Sequence, residues 1–349
     1  MKKYLIIAAA ALSFIGCAKI ETVDVRGAQE ITLQAFSQKP TKAAITGTTF
    51  PVGTDMAVFA ALNDGSAYGD ALYINNARFI KKSTDTYDYW HGVDASGNDV
   101  RYFWPFAGNL QFAAVSPWVN TAAAATYDST NGEVSKITIT GIDNKVTSQI
   151  DYLYSNQTNW INTPTSPVAM TFKHAQALIV LNVRGDNDGT VAESKITVNS
   201  LTIGDATTGI AFKGNLEVTP GAASTIAWTS VTDETVGYAV PILSTASPAV
   251  DENTVYTKDA YKTYNEGLMV VPEEDVEDLK IYVNYTVGKD TDKAATFNPS
   301  ASLSLGTGVE WEAGKKYIYN ITIHANEILI NPSVTDWVDG NSTGTDINV

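Results

Sequence analysis

Apolar and polar residues alternate in short runs along this chain, and the period is two. Leu279, Ile281, Val283, Tyr285 and Val287 alternate with Lys280, Tyr282, Asn284 and Thr286. Near the end, Tyr317, Tyr319, Ile321 and Ile323 alternate with Asn320, Thr322 and His324, and Val168, Met170 and Phe172 repeat the pattern. Such spacing turns every second side chain to one face of an extended strand. Met56–Ala61, Val100–Trp104, Leu110–Val115 and Ile137–Ile142 are further strand candidates. The stretches between them are rich in Gly, Asn, Asp, Ser and Thr, which form turns. No window of a dozen residues carries a helical period; one turn over Asp275–Leu279, after Pro272, is the nearest approach.

These elements predict an all-β protein of two antiparallel β-sandwiches in tandem. The segment Asn162-Thr163-Pro164-Thr165-Ser166-Pro167 has two prolines, which suit neither a helix nor a central strand. It places the boundary between an N-terminal domain, 43–163, and a C-terminal domain, 164–349. Upstream, Ile31, Leu33 and Ala35 alternate with Thr32 and Gln34, a first strand. A soft loop, Pro40-Thr41-Lys42-Ala43-Ala44, follows it at once.

The start of the chain is an export signal. Lys2 and Lys3 precede an apolar run from Tyr4 to Phe14 that is too short to span a bilayer, and Gly16 precedes Cys17. That is the pattern of a bacterial lipoprotein signal over residues 1–16, with Cys17 acylated and residues 17–42 forming a lipidated N-terminal segment. Cys17 is the one cysteine of the chain, so no internal disulfide supports the fold. Two acyl chains are enough for stable attachment to a membrane. The net charge of −15 argues against nucleic acid and anionic lipid as partners.

Catalytic groups do not converge in the sequence. His91, His174 and His324 are scattered without metal-ligand spacing, and no metal or cofactor is expected. His174 shares the phase of Val168, Met170 and Phe172, which points it inward toward a core hydrogen bond. Gly340-Asn341-Ser342-Thr343-Gly344 matches a nucleophile elbow in letters only, because no histidine follows Ser342. Asp186-Asn187-Asp188-Gly189 reads as a hairpin turn, and Glu273 to Asp278 as a solvated edge. Trp104 and Trp228 look like core residues. An enzyme is not expected.

Several stretches together resemble the fimbrillin family, the Mfa-like pilins and pilus-associated lipoproteins of type V pili. They are Ala43-Ala44-Ile45-Thr46-Gly47 leading to Phe50, Tyr102-Phe103-Trp104-Pro105, the run from Phe112 to Pro117, and Asp151-Tyr152-Leu153-Tyr154. Met170-Thr171-Phe172-Lys173-His174-Ala175, Trp311 to Tyr317 and Val334-Thr335-Asp336-Trp337 complete the set. The resemblance implies two transthyretin-like sandwiches and export to the outer membrane and cell surface as a lipoprotein. It also implies maturation by a protease that discards the first strand, here Ile31, Leu33 and Ala35. The family's cut follows an arginine in a Thr-Arg-Ala context; Thr41-Lys42-Ala43 stands at the matching place, so Lys42 and Ala43 flank the expected cut. A strand of the next subunit would then fill the groove, with Ile328, Ile330 and Val334 as donor candidates and Ile347 and Val349 as others. The expected partners are other pilin subunits, a surface receptor, and membrane lipid through Cys17 before cleavage. The rival expectation is a permanently anchored surface protein that binds a glycan or host ligand and does not polymerise.

Overall fold

Residues 56 to 61 are six consecutive buried positions, although a half-exposed strand would bury only every second one. Their run is explained by a second layer. The computed structural model describes residues 29–37, 50–63, 72–84, 87–120, 123–128, 130–144, 149–164, 167–188, 195–204, 209–232, 235–242, 250–251, 253–274, 276, 279–288, 294–297, 310–324, 328–336 and 345–346. Among these residues every regular element is a strand. The first nine are β1 (Leu33–Ser37), β2 (Asp55–Asn63), β3 (Ile74–Thr84), β4 (Tyr87–Val93), β5 (Asn109–Ser116), β6 (Ala123–Asp128), β7 (Glu133–Asp143), β8 (Leu153–Ser155) and β9 (Val168–His174). Seven of them close into a barrel in the order β1, β4, β3, β2, β5, β8, β9.

Met56, Val58 and Ala60 face the barrel interior together with Leu110, Phe112 and Ala114 of β5. Their neighbours Ala57, Phe59 and Ala61, with Ala113 and Val115, face outward onto a second sheet. A strand covered on both faces reads as a continuous apolar run. That second sheet has the order β14, β13, β7, β6, where β13 is Lys213–Thr219 and β14 is Thr225–Thr232. Ile137 and Ile139 of β7 and Leu216 and Val218 of β13 supply its inner face. The hairpin of β13 and β14 comes from the far side of the expected 163/164 boundary. So does β9, which starts at Val168 and completes the barrel. Chain from both sides of the proline segment therefore builds the first unit.

The intervening and later strands are β10 (Ala177–Gly185), β11 (Ile196–Ile203), β12 (Gly209–Ile210), β15 (Thr235–Val236), β16 (Tyr238–Val240), β17 (Val255–Tyr256), β18 (Lys262–Val270), β19 (Ile281–Val287), β20 (Ala294–Phe297), β21 (Lys315–Ile323), β22 (Ile328–Asp336) and β23 (Thr345–Asp346). They form a sandwich. One sheet runs β18, β10, β21, β22, β23; the other runs β16, β11, β19, β20, with β17 on β11 and a small β12–β15 pair apart. The alternation at 281–287 and 317–323 does what its period predicts: Ile281, Val283, Tyr285, Tyr317, Tyr319, Ile321 and Ile323 all enter the shared core. Val100–Trp104, expected as a strand, makes a single isolated bridge, Phe103 with Glu30, because it straps the barrel instead of joining its ladder.

Residues 174–176 and 311–317 tie the two units together. Gly314, at φ +72°, donates its N–H to the Gln176 carbonyl at 2.9 Å, and Trp228 of β14 donates to the Ala175 carbonyl at 2.8 Å. The Gln149 side chain forms a two-way bond with the Met269 backbone on edge strand β18, at 2.9 and 2.7 Å. Trp311, 1% exposed, donates from Nε1 to the Tyr319 hydroxyl at 2.9 Å, and the Glu312 N–H donates to the Tyr317 hydroxyl at 2.8 Å.

Two predictions follow from this packing. Phe59→Ala should lower the free energy of unfolding by about 3–5 kcal/mol in urea titration, because a cavity would open between barrel and second sheet. The second concerns alkali. Burial pushes the Tyr319 and Tyr317 hydroxyls up, the latter to about 12. In the unfolded chain both ionise near the ordinary value of about 10. Above that value the folded state holds more protons than the unfolded one, so stability is intact below about pH 10 and falls as pH rises toward 12. The unfolding midpoint followed from pH 8 to 12 should drop, and Tyr319→Phe should make the drop shallower.

Candidate functional site

Strand β1 takes a full share of the barrel core. Its inward side chains Leu33 and Ala35 are 0% and 6% exposed, and Ile31, two residues before it, is 1% exposed. On one side it runs parallel to β9, from Leu33 opposite Val168 to Ser37 opposite Phe172. On the other it meets β4 antiparallel at the pair Leu33 and Trp90. Removing β1 would leave β4 and β9 as two open edges, with unpaired backbone groups and an apolar groove between them. Val168, Met170, Phe172, Trp90 and Trp104 belong to the cluster that β1 covers.

A strap holds the entry to this strand. Trp104 donates its N–H to the Gln29 carbonyl at 3.0 Å, and Ile31 donates to the Tyr102 carbonyl at 2.7 Å. The strap lies hard against β4: Val100 donates to the Gly92 carbonyl at 3.0 Å, and a Cβ on Gly92 would stand 2.5 Å from the Val100 oxygen. Glycine is required there by close approach. Tyr102 stacks on Phe79 with ring centroids 5.5 Å apart, and Trp104 meets Phe112 edge-on at 5.9 Å. Exposed Phe103 and Phe106 flank Trp104 on the same turn, and the Tyr73 hydroxyl donates to the Phe103 carbonyl at 2.6 Å.

The predicted site residues divide between described and undescribed parts of the chain. Cys17, Lys42 and Ala43 lie outside the described residues, as do Ser342, Ile347 and Val349. Ile328, Ile330 and Val334 fall on β22, which pairs along its length with β21; Val334 packs against the sandwich core opposite Tyr317. They are not near β1 in sequence or in sheet. Sequence reasoning missed Phe50 and Trp90, which line the groove. Phe50 stood only as the end of a family stretch, and Trp90 follows no clear alternation.

His174, 3% exposed, meets Asp151 with its Nδ1 2.9 Å from Oδ1, as its inward phase predicts. His324 pairs with Asp186 at 3.1 Å, and His91 on β4 is lowered by burial and by Lys82. Among the described residues no group of three His, Cys, Asp or Glu is placed to hold a metal. Trp104 is buried, and Trp228 is partly buried against the second sheet.

A family model described as fimbrillin-like matches residues 41–337. The chain belongs to the fimbrillin-like family. The match begins after β1 ends. Two solved structures share the fold. A candidate cell adhesion protein from Bacteroides ovatus is 16% identical, with a TM-score of 0.55 over 90% of this chain and 99% of that one. A fimbrial protein from Bacteroides vulgatus is 17% identical, with a TM-score of 0.51 over 88% of this chain and 99% of that one. A search of curated proteins finds no match. The stretches Asp151–Tyr154, Met170–Ala175 and Trp311–Tyr317 meet in this fimbrillin-like chain at the junction of its two units.

Leu33 is the test of how much β1 contributes. Leu33→Ala should cost about 2–5 kcal/mol of unfolding free energy, whereas Val52→Ala, at a position 63% exposed, should cost little. Hydrogen exchange should show the loss of protection in β1 and β9 first.

Proposed function

We propose that this protein is a structural subunit of a type V-like fimbria that contributes to cell adhesion and has no enzymatic role. The observation that carries the reading is β1: it is buried like a core strand, yet it precedes the family-matched region and is joined to it through residues 38–49. In this reading the chain is exported as a lipoprotein anchored through Cys17 in the outer membrane. A cut between Lys42 and Ala43 then frees the segment that carries Ile31, Leu33 and Ala35. Burial of two branched aliphatic side chains is worth about 1.5–3 kcal/mol each, so loss of the strand leaves a groove that favours refilling. A strand from a neighbouring subunit restores both the ladder and the apolar contacts. The contact is head-to-tail, so it extends into a filament and does not close. The donor proposed is the C-terminal segment with Ile328, Ile330 and Val334, which would have to leave its ladder with β21. One structural neighbour is a fimbrial protein, in keeping with this reading.

A second reading has one observation in its favour. Phe106 is 72% exposed, Phe103 and Tyr73 are also exposed, and the Tyr73 hydroxyl donates to the Phe103 carbonyl; exposed aromatic rings of this kind stack on sugars or host ligands. A permanently anchored binding protein would use that surface and keep β1.

Intact mass and N-terminal sequencing of the protein taken from its native surface should find a chain starting at Ala43. A mature chain that starts at acylated Cys17 would overturn the fimbrial reading and favour the anchored binder.

A further inference from the structure

The groove under β1 is not uniform along its length. Leu33 is paired on both sides, with Trp90 of β4 and Val168 of β9. Beyond Leu33 the ladder with β9 continues through Ala35 opposite Met170 to Ser37 opposite Phe172, while the register with β4 stops. A strand that keeps one neighbour and loses the other leaves a widening gap on the lost side. Phe50 occupies the space between those two neighbours. Its ring meets Trp90 of β4 edge-on at 5.2 Å and Phe172 of β9 edge-on at 5.4 Å. It is 2% exposed, and its carbonyl accepts a hydrogen bond from the buried Lys81 ammonium on β3 at 2.5 Å. The inward residues of β1 match this shape. Ile31 and Leu33 are large and branched, and Ala35, toward the Phe172 end, is small.

We propose that Phe50 is a specificity-determining residue of the groove. It reserves the third inward position for a small side chain. The segment that fits is an extended strand with branched aliphatic residues at two successive inward positions and a small residue at the next. The inference rests on the proposal that β1 is exchanged for a neighbour's strand. Phe50 lies on the carboxyl side of the Lys42–Ala43 bond, so it stays with the chain after a cut there. The vacated groove then carries its own size rule, and the occupant is a strand of a second subunit; in the proposed donor Ile328 and Ile330 take the two branched positions and the compact Pro332 the third. Close packing makes such a rule sharp, because a large side chain has no void to enter.

The test uses the full-length chain, cut within residues 38–49 and otherwise whole. It is incubated with excess labelled peptide of the sequence from Gln29 to Ser37, either native or with Ala35→Leu. The native peptide should displace the bound segment. The Ala35→Leu peptide should be captured at least tenfold less well by the wild-type chain, and about as well as the native peptide by a Phe50→Ala chain. Phe50→Leu, which keeps most of the packing, should recover part of the capture and serves if Phe50→Ala does not fold. Equal capture of both peptides by the wild-type chain would overturn the role of Phe50 and leave the exchange reading standing. Failure of the native peptide to enter the cut chain would overturn the exchange reading and this inference with it.

Discussion

The barrel of this protein is closed by one parallel pairing. β1 and β9 are the only neighbours in the ring of seven whose strands run the same way, and they are joined over the five residues of β1. All other neighbours in the ring, β4 with β1 included, pair antiparallel. A parallel pair cannot be made by a tight hairpin and needs a long connection. Here that connection is most of the N-terminal unit. The apolar interior is therefore complete only when a short segment from the far N-terminal end lies in place. Its hold is side-chain burial at Ile31 and Leu33, a five-residue ladder on one side and a backbone strap at Gln29 and Ile31.

That arrangement concentrates dependence on one edge while the rest of the molecule is cross-tied. The β13–β14 hairpin lends strands to the second sheet of the first unit, and the Gln149 side chain caps the edge of β18. Trp228, Gln176 and Gly314 bind the turn between β9 and β10 to both units. Opening at β1 would therefore leave β9 held by β8 and by its continuation into β10.

Polar groups in the interior follow the same economy. Asp151 Oδ1 and His174 Nδ1 lie 2.9 Å apart beside the junction, Asn265 donates to the Pro241 carbonyl at 2.9 Å, and Ser155 accepts from the Ala114 N–H at 2.8 Å. Each meets a hydrogen bond that burial would otherwise make costly.

By itself, the sequence determined the fold class and the strands whose face is half buried. Period-two alternation at Ile281–Val287 and Tyr317–Ile323 is a local property, because successive side chains of an extended chain must point to opposite sides. It also marked Ile31, Leu33 and Ala35 as one face and His174 as inward. Tertiary structure alone decided which strand lies beside which. Any alternating segment can pair with many others, and register is chosen by the contacts that the assembled core offers. Hence the 168–174 strand and the 213–232 hairpin could cross an expected boundary, and 100–104 could become a strap. Phe50 was illegible for the same reason. It is a single aromatic residue outside any strand, and its meaning comes from two rings, Trp90 and Phe172, that are distant in the chain and adjacent only once the barrel has closed.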